Sequence, residues 1–294
     1  MTNHPTPQRD PLAPLNPINP INPINQPSPL DRIDHYQDTL PRRVGRAEDF
    51  GPLTLFVRED GGSALQARPT RGWRGRPVTA ADVAAVRARQ RELGVPESFE
   101  WVDESAPALR PAVEETGLPI TPRPLLILPE DAPTPPLADL TPRGVQVVTV
   151  APDDPWLPSA VATAHLAFAN LGTHRGEVGP TELPEAQRQL AAAITLMALR
   201  IQAGSTTLVA AMEDGVALSS GLLPGVVDGI TEICAVGTLP AARRRGLALA
   251  VTAALIHQSR TRGAHTTFLS ATDPQVARIY TRLGFRPTGT ALET

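Results

Sequence analysis

The sequence predicts a chain of mixed α/β class, and three observations carry that reading. Short apolar runs bounded by Gly, Pro and Asp alternate with alanine- and leucine-rich stretches of helical period. From Thr207 onward the order is three strands, then helix, strand, helix, strand. Between the third strand and the next helix, an apolar run ends in Gly237-Thr238-Leu239-Pro240 and leads through Arg243-Arg244-Arg245-Gly246-Leu247-Ala248 into a long helical pattern. Periodicity by itself gives alternating elements and no topology.

The chain has 294 residues, room for two modest domains, and 41% hydrophobic residues can supply their cores. Its 27 Lys+Arg against 30 Asp+Glu give a net charge of −3, which argues against a dedicated nucleic-acid binder. A single cysteine, Cys234, can form no internal disulfide. The polar, proline-rich start has no apolar signal core, and the greasiest stretch, Leu190 to Leu199, is too short to span a bilayer. A cytoplasmic protein that engages no membrane is therefore expected.

Residues 1–40 are expected to form a disordered Pro/Asn-rich tail, with Asn-Pro-Ile repeated from Asn16 to Ile24. Residues 41–128 are expected to form a smaller α/β domain. Leu53–Val57 is a strand, and Thr79 caps a helix that ends at Gly94. Phe99–Val102 is a short strand, Pro107–Thr116 a helix and Leu125–Leu128 another strand. Trp73, Phe99 and Trp101 read as core or interface aromatics, with a substrate wall as the other reading. Residues 129–142, with five prolines, read as a linker.

Residues 143–294 form the second expected domain. Val145–Val150 is its first strand, followed by a helix bearing His165 and Phe168 and a glycine-punctuated loop. Leu183–Gln202 reads as one long helix closed by Gly204. Thr207–Met212 and Val216–Leu222 form a hairpin across Asp214-Gly215. Ile230–Val236, Thr266–Ser270 and a strand from Phe285 complete the sheet, with helices Gly246–Arg262 and Pro274–Leu283 between them.

The junction at Arg243 to Ala248 puts positive charge and a glycine at a helix start. Unpaired backbone N–H groups and the positive end of the helix dipole meet there, a site suited to a pyrophosphate. Arg243, Gly246 and Ala248 match the acetyl-CoA motif of the GNAT N-acetyltransferase superfamily: Gln or Arg, two variable positions, Gly, one variable position, Gly or Ala. Val236 to Pro240 before it, and Tyr280-Thr281-Arg282-Leu283-Gly284-Phe285 after it, strengthen the resemblance. From Gly144 onward the chain resembles this superfamily. The resemblance implies an α+β sandwich with a mixed, partly splayed sheet, the acyl-CoA N-acyltransferase fold. The segment before it resembles the lobe that precedes the catalytic domain in some two-lobed acetyltransferases.

What the resemblance implies about chemistry is specific. Acetyl-CoA would be the cosubstrate and a small-molecule or protein amine the acceptor, with direct attack in a ternary complex and no metal. Arg243, Arg244, Arg245, Gly246, Leu247 and Ala248 would hold the pyrophosphate, and Val236, Gly237 and Thr238 the pantetheine arm, with a backbone N–H near Val236 for the oxyanion. Glu232, within an apolar strand that would raise its pKa, is the candidate general base; a strand-edge glutamate paired with an arginine is the other reading. Tyr280 is the candidate general acid toward the coenzyme sulfur, or packs against it. Asp273 stands where relatives often carry an Asn that contacts the pantetheine, and it lacks the amide donor.

Other residues are weaker candidates. His165 reads as a buried, hydrogen-bonded histidine, and His174 as an acceptor-side loop residue. His257 and His265 have no partner in view, and no pair has metal-ligand spacing. Cys234 reads as a small core residue, and Glu177 and Glu182 as solvated loop acids. The rival functions are an acyl-CoA-binding sensor or scaffold that has lost catalysis, and an interaction protein using the proline-rich tail. Acceptor identity and oligomeric state are left open by the sequence.

Overall fold

The structure, a computed structural model, describes residues 27–133 and 135–294. The Asn-Pro-Ile repeats lie outside the described residues. In chain order the first half contains α1 (Pro29–Thr39), β1 (Gly45–Asp49), β2 (Leu53–Arg58), β3 (Ala67–Pro69), α2 (Ala80–Glu92), β4 (Glu100–Val102), α3 (Leu109–Glu115) and β5 (Thr121–Leu128). The second half contains α4 (Leu137–Leu140), β6 (Gln146–Thr149), α5 (Leu157–Ala169), α6 (Leu183–Gln189), α7 (Ala191–Gln202), β7 (Thr206–Glu213) and β8 (Val216–Pro224). It continues with β9 (Ile230–Glu232), β10 (Cys234–Thr238), α8 (Leu247–Thr261), β11 (Thr266–Ser270), α9 (Pro274–Thr281) and β12 (Arg286–Glu293).

The strands form three sheets, ordered β1-β2-β3, β10-β8-β7-β6 and β4-β12-β5-β11-β9. The single strand expected over Ile230–Val236 is divided between the last two. Ile230–Glu232 run parallel to Thr266–Phe268, and Ile233 N–H still donates to Phe268 O at 2.9 Å. Cys234 instead pairs antiparallel with Leu222. The register then slips between Cys234 and Gly237, and Ala235 takes a left-handed φ of 52°. This bulge carries the chain from one sheet to the other and splays them apart.

The five-stranded sheet revises the expected boundary between residues 128 and 143. β5 lies between β11 and β12 and is antiparallel to both, with Phe268 opposite Ile127 and Leu292 opposite Pro122. β4 pairs with the far edge of β12. Residues 41–128 and 143–294 thus share one sheet. The proline-rich stretch between them lies on the core: Ala132 is buried, Leu137 and Leu140 of α4 pack on the main cluster, and Arg260 reaches Ala132 O at 2.6 Å.

The amino-terminal expectation is corrected over 29–39, where α1 is a helix. Ser28 caps it in a reciprocal box with Asp31, and Pro29 sits in its first turn. Ile33 and Tyr36 are buried, and the Tyr36 ring meets Phe268 edge-on at 5.2 Å. The apolar cluster around these two includes Val102, Ile127, Ile230 and Ala291, so the five-stranded sheet wraps α1. Strand alternation sets Glu100, Glu232 and Glu293 on the same face as Val102, Ile230 and Ala291. The long helix expected over 183–202 breaks at Leu190 into α6 and α7. α6 buries Leu183 and Ala186, whereas α7 buries no residue fully, so the two follow different surfaces. Among the described residues no helix is long and apolar enough to cross a membrane.

Candidate active site

A cavity of about 990 Å³ is lined at one end by the start of α8 and at the other by Glu232, Glu100 and Glu293. Val236, Gly237 and Thr238 line it from β10, and Tyr280 from α9. β10 is the end strand of its sheet, so one backbone edge is unpaired along the cavity. Ser219 pins that strand from the inner side, with Oγ donating to Gly237 O at 2.8 Å. Gly237 is required there because a Cβ would come within 2.8 Å of the Ala167 Cβ on α5.

At the start of α8, Arg244 (φ 66°) and Gly246 (φ 84°) are both left-handed, on either side of Arg245. Such an alternation turns successive N–H groups toward one point, an anion-binding nest. The helix's first backbone bond runs from Ala250 N–H to Gly246 O at 3.1 Å, so the preceding N–H groups have no intrahelical acceptor. No atom lies within 4 Å of where a Gly246 Cβ would stand, which leaves the cradle open.

The three arginines of the motif differ in what they do. Arg243 does not point its guanidinium at the nest. It donates to the carbonyls of Thr238, His174, Ala167 and Asn170, so it ties the end of α5 and the following loop to the strand. Burial holds its pKa below the usual arginine range. Arg245 forks onto Glu213, 2.9 Å from Oε2, and does not line the cavity. Only Arg244 is exposed toward the cavity with no hydrogen bond or ion pair from a described residue. Arg278 and Arg282 of α9, absent from the sequence-based site, line the same mouth and are likewise exposed with unpaired guanidiniums. Their spacing at i and i+4, beside Tyr280, was the available signal.

Glu232 sits at the cavity floor, half-buried, and its carboxylate takes no hydrogen bond from a described residue. Loss of water around it pushes its pKa up to about 8, helped by the neighbouring Glu100 and Glu293 and opposed by Arg68. The alternative reading, a glutamate paired with an arginine, describes its neighbours instead. Arg68 donates to Glu100 Oε2 at 2.6 Å, and Arg123 to Glu293 Oε2 at 2.5 Å. The first half of the chain thus supplies a wall of this cavity through Arg58, Arg68, Glu100 and Arg123.

Tyr280 is 6% exposed, and desolvation raises its pKa to about 12. Its ring lies edge-on to Phe285 at 6.1 Å. Asp273 is placed differently from the expectation. Its Oδ1 accepts from the N–H groups of Gln275 and Val276, which caps α9, and it does not line the cavity. Aspartate is thus accounted for as a helix cap, and Thr272 and Gln275 line the wall beside it. Cys234 also lines the cavity, with its thiol pushed well up in pKa by burial and then by Glu232 and Glu100.

His165 is exposed, which corrects the expectation of a buried histidine; among the described residues no histidine lines the cavity. His174 contributes only its carbonyl to Arg243. Phe99 and Trp101 are core residues packed with Leu292, whereas Trp73 is 45% exposed.

Comparison with known proteins bears on this geometry. Residues 226–292 match the FR47-like protein family. A GCN5-related N-acetyltransferase from Kribbella flavida is 26% identical, superposes with a TM-score of 0.64, and is matched over 90% of this chain and 94% of its own. A GCN5-related N-acetyltransferase from Sphaerobacter thermophilus shares the fold at 18% identity, with TM-score 0.51 and coverage of 83% of this chain and 79% of the other. A tandem GNAT protein from the clavulanic acid biosynthesis pathway does so at 17%, with TM-score 0.52 and coverage of 82% and 78%. No curated protein matches the sequence significantly. The splayed sheets, the nest at α8, the family match over the carboxy-terminal segment and the similarity along nearly the whole chain together give this protein the acyl-CoA N-acyltransferase fold, similar to that of the GCN5-related N-acetyltransferases.

Proposed function

We propose that the protein transfers acetyl from acetyl-CoA to a primary amine by direct attack in a ternary complex. The observation that carries this is the pairing, in one cavity, of an open anion nest at the mouth with an unpartnered, high-pKa carboxylate at the floor. The donor set suits a diphosphate: backbone N–H groups at the start of α8, with Arg244, Arg278 and Arg282 around them. The unpaired edge of β10 suits the amides of a pantetheine arm, bound as an added strand.

Glu232, once ionised, takes a proton from the incoming ammonium, and the freed nitrogen attacks the thioester carbonyl carbon. A backbone N–H near Val236 receives the oxyanion. As the C–S bond breaks, the Tyr280 hydroxyl donates a hydrogen bond to the sulfur. Net transfer from Tyr280, at about 12, to a thiolate whose thiol has a reference pKa of about 8.5 is uphill. Tyr280 therefore stays protonated, and the sulfur's proton comes ultimately from the nitrogen.

Isothermal titration with acetyl-CoA tests the mouth: binding is expected for the natural protein and lost in Gly246→Glu, which fills the cradle. Release of CoA with a panel of primary amines tests the chemistry. Failure of acetyl-CoA to bind the natural protein overturns the proposal.

A further inference from the structure

Two half-buried arginines on the acceptor side of the cavity carry buried donor nitrogens that are unused. Arg68 gives Nη2 to Glu100, and its Nε and Nη1 are buried with no acceptor among the described residues. Arg58 gives Nη1 to Asp60 at 2.8 Å, and its Nε is likewise buried without one. Arg32 Nε, outside this cavity, is a further buried donor without an acceptor among the described residues, whereas Arg243 spends its N–H groups on four carbonyls and Arg123 meets Glu293. Orphaned buried donors are costly and call for an acceptor. In the same cavity Glu232 has the opposite deficit, a carboxylate with no donor among the described residues.

Resting on the acetyl-transfer reading above, we infer that the acceptor is an amino acid: a primary amine bearing a carboxylate, with its ammonium at Glu232 and its carboxylate at Arg68 and Arg58. A second ammonium in place of the carboxylate would leave the arginine donors unpaired. A phosphate dianion would face the carboxylates of Glu100, Glu232 and Glu293. A zwitterion supplies both missing partners and adds no net charge to the floor. Arg68 is near enough to Glu232 to oppose the rise in its pKa, which fits two groups read by one small molecule. Leu65, Phe168 and Leu171 line the cavity as well, so an apolar substituent is favoured. In the reaction an N–C bond forms and the thioester C–S bond breaks. The ammonium loses two protons, one to the CoA thiolate and one to solvent through Glu232. The products are the N-acetylamino acid, CoA thiol and a proton.

The test follows CoA release with leucine, leucinamide and 3-methylbutylamine, and with the corresponding phenylalanine series. The amino acid is expected to exceed both carboxylate-free analogues at least tenfold in kcat/KM. That gap is expected to shrink to within about threefold in Arg68→Gln, mainly through KM, and partly in Arg58→Gln. Arg68→Lys keeps the charge, loses the fork, and is expected to fall between. Calorimetric binding of leucine to the CoA-bound protein, weakened in the same variants, reads the site without turnover. Equal or faster turnover of the amide or the amine, or a gap that survives in both Arg68→Gln and Arg58→Gln, overturns the inference while leaving acetyl transfer intact. Absence of release with every amine overturns acetyl transfer and this inference with it.

Discussion

The mouth and the floor of the cavity treat arginine in opposite ways. At the mouth, Arg244, Arg278 and Arg282 are exposed, and no group of a described residue engages their guanidiniums. At the floor, Arg58, Arg68 and Arg123 are each held by a carboxylate. Unpaired charge next to water costs little and waits for an anion. Charge away from water has to be neutralised or it shifts its pKa. The floor does both: it pairs Glu100 and Glu293, and leaves Glu232 unpaired with a raised pKa. On the proposed reading, the mouth binds the coenzyme and the floor moves protons.

The sharpest way to break this division is Glu232→Gln. Turnover is expected to fall by roughly 10²- to 10⁴-fold, while acetyl-CoA affinity by titration stays within about threefold. An equal loss of binding would erase the distinction. The reverse change is the double charge reversal Arg244→Glu with Arg278→Glu. It is expected to weaken acetyl-CoA binding by roughly 10- to 50-fold, with the effect shrinking as salt is raised. Next, Tyr280→Phe is expected to slow turnover by about tenfold without moving the rise of the pH profile, because its hydroxyl keeps its proton throughout.

The pH dependence itself sharpens the comparison. With Glu232 raised to about 8, the base form grows as pH rises, so turnover is expected to climb through pH 8 and then level. In Glu100→Gln the midpoint is expected to drop by about half a unit to one unit, since a like charge is removed. Stability follows the same group with the opposite outcome. Its contribution is fully present below the model-peptide carboxyl value of about 4.5 and is lost as pH rises through about 8. Chemical denaturation between pH 5 and 9 is expected to show a steeper decline in the natural protein than in Glu232→Gln. The smallest effect tests the helix beneath the floor: Ser28→Ala removes the cap of α1 and is expected to cost about 1 kcal/mol in urea denaturation.

Features set by neighbours in sequence were legible. The Asp214-Gly215 hairpin, the Thr79 helix start and the glycine at the head of α8 each follow from local chemistry, and all three form. The placement of Glu232 and Tyr280 in one cavity followed from the family motif and its flanks. What failed depended on distant partners. Nothing in Leu125–Leu128 announces that it will sit between two strands from the far end of the chain. Three of the four carbonyls that engage Arg243 lie on α5 and its following loop, out of reach of a motif reading. α1 is a different kind of miss. Its signals, Ser28 with Asp31 and then Ile33 and Tyr36, were present but overshadowed by the prolines before them. The cap at Asp273 is legible in Asp-Pro alone, whereas comparison with the Asn of relatives points away from it.

The interleaving of β5 with β11 and β12 has a consequence for how the molecule is made. As the polypeptide leaves the ribosome, β4 and β5 emerge long before the strands that flank them, and must wait with open hydrogen-bonding edges. Contacts of such long sequence separation close late and slowly. Cutting the gene near residue 143 would therefore yield two aggregation-prone fragments, and co-expressing them would be the way to recover a working whole.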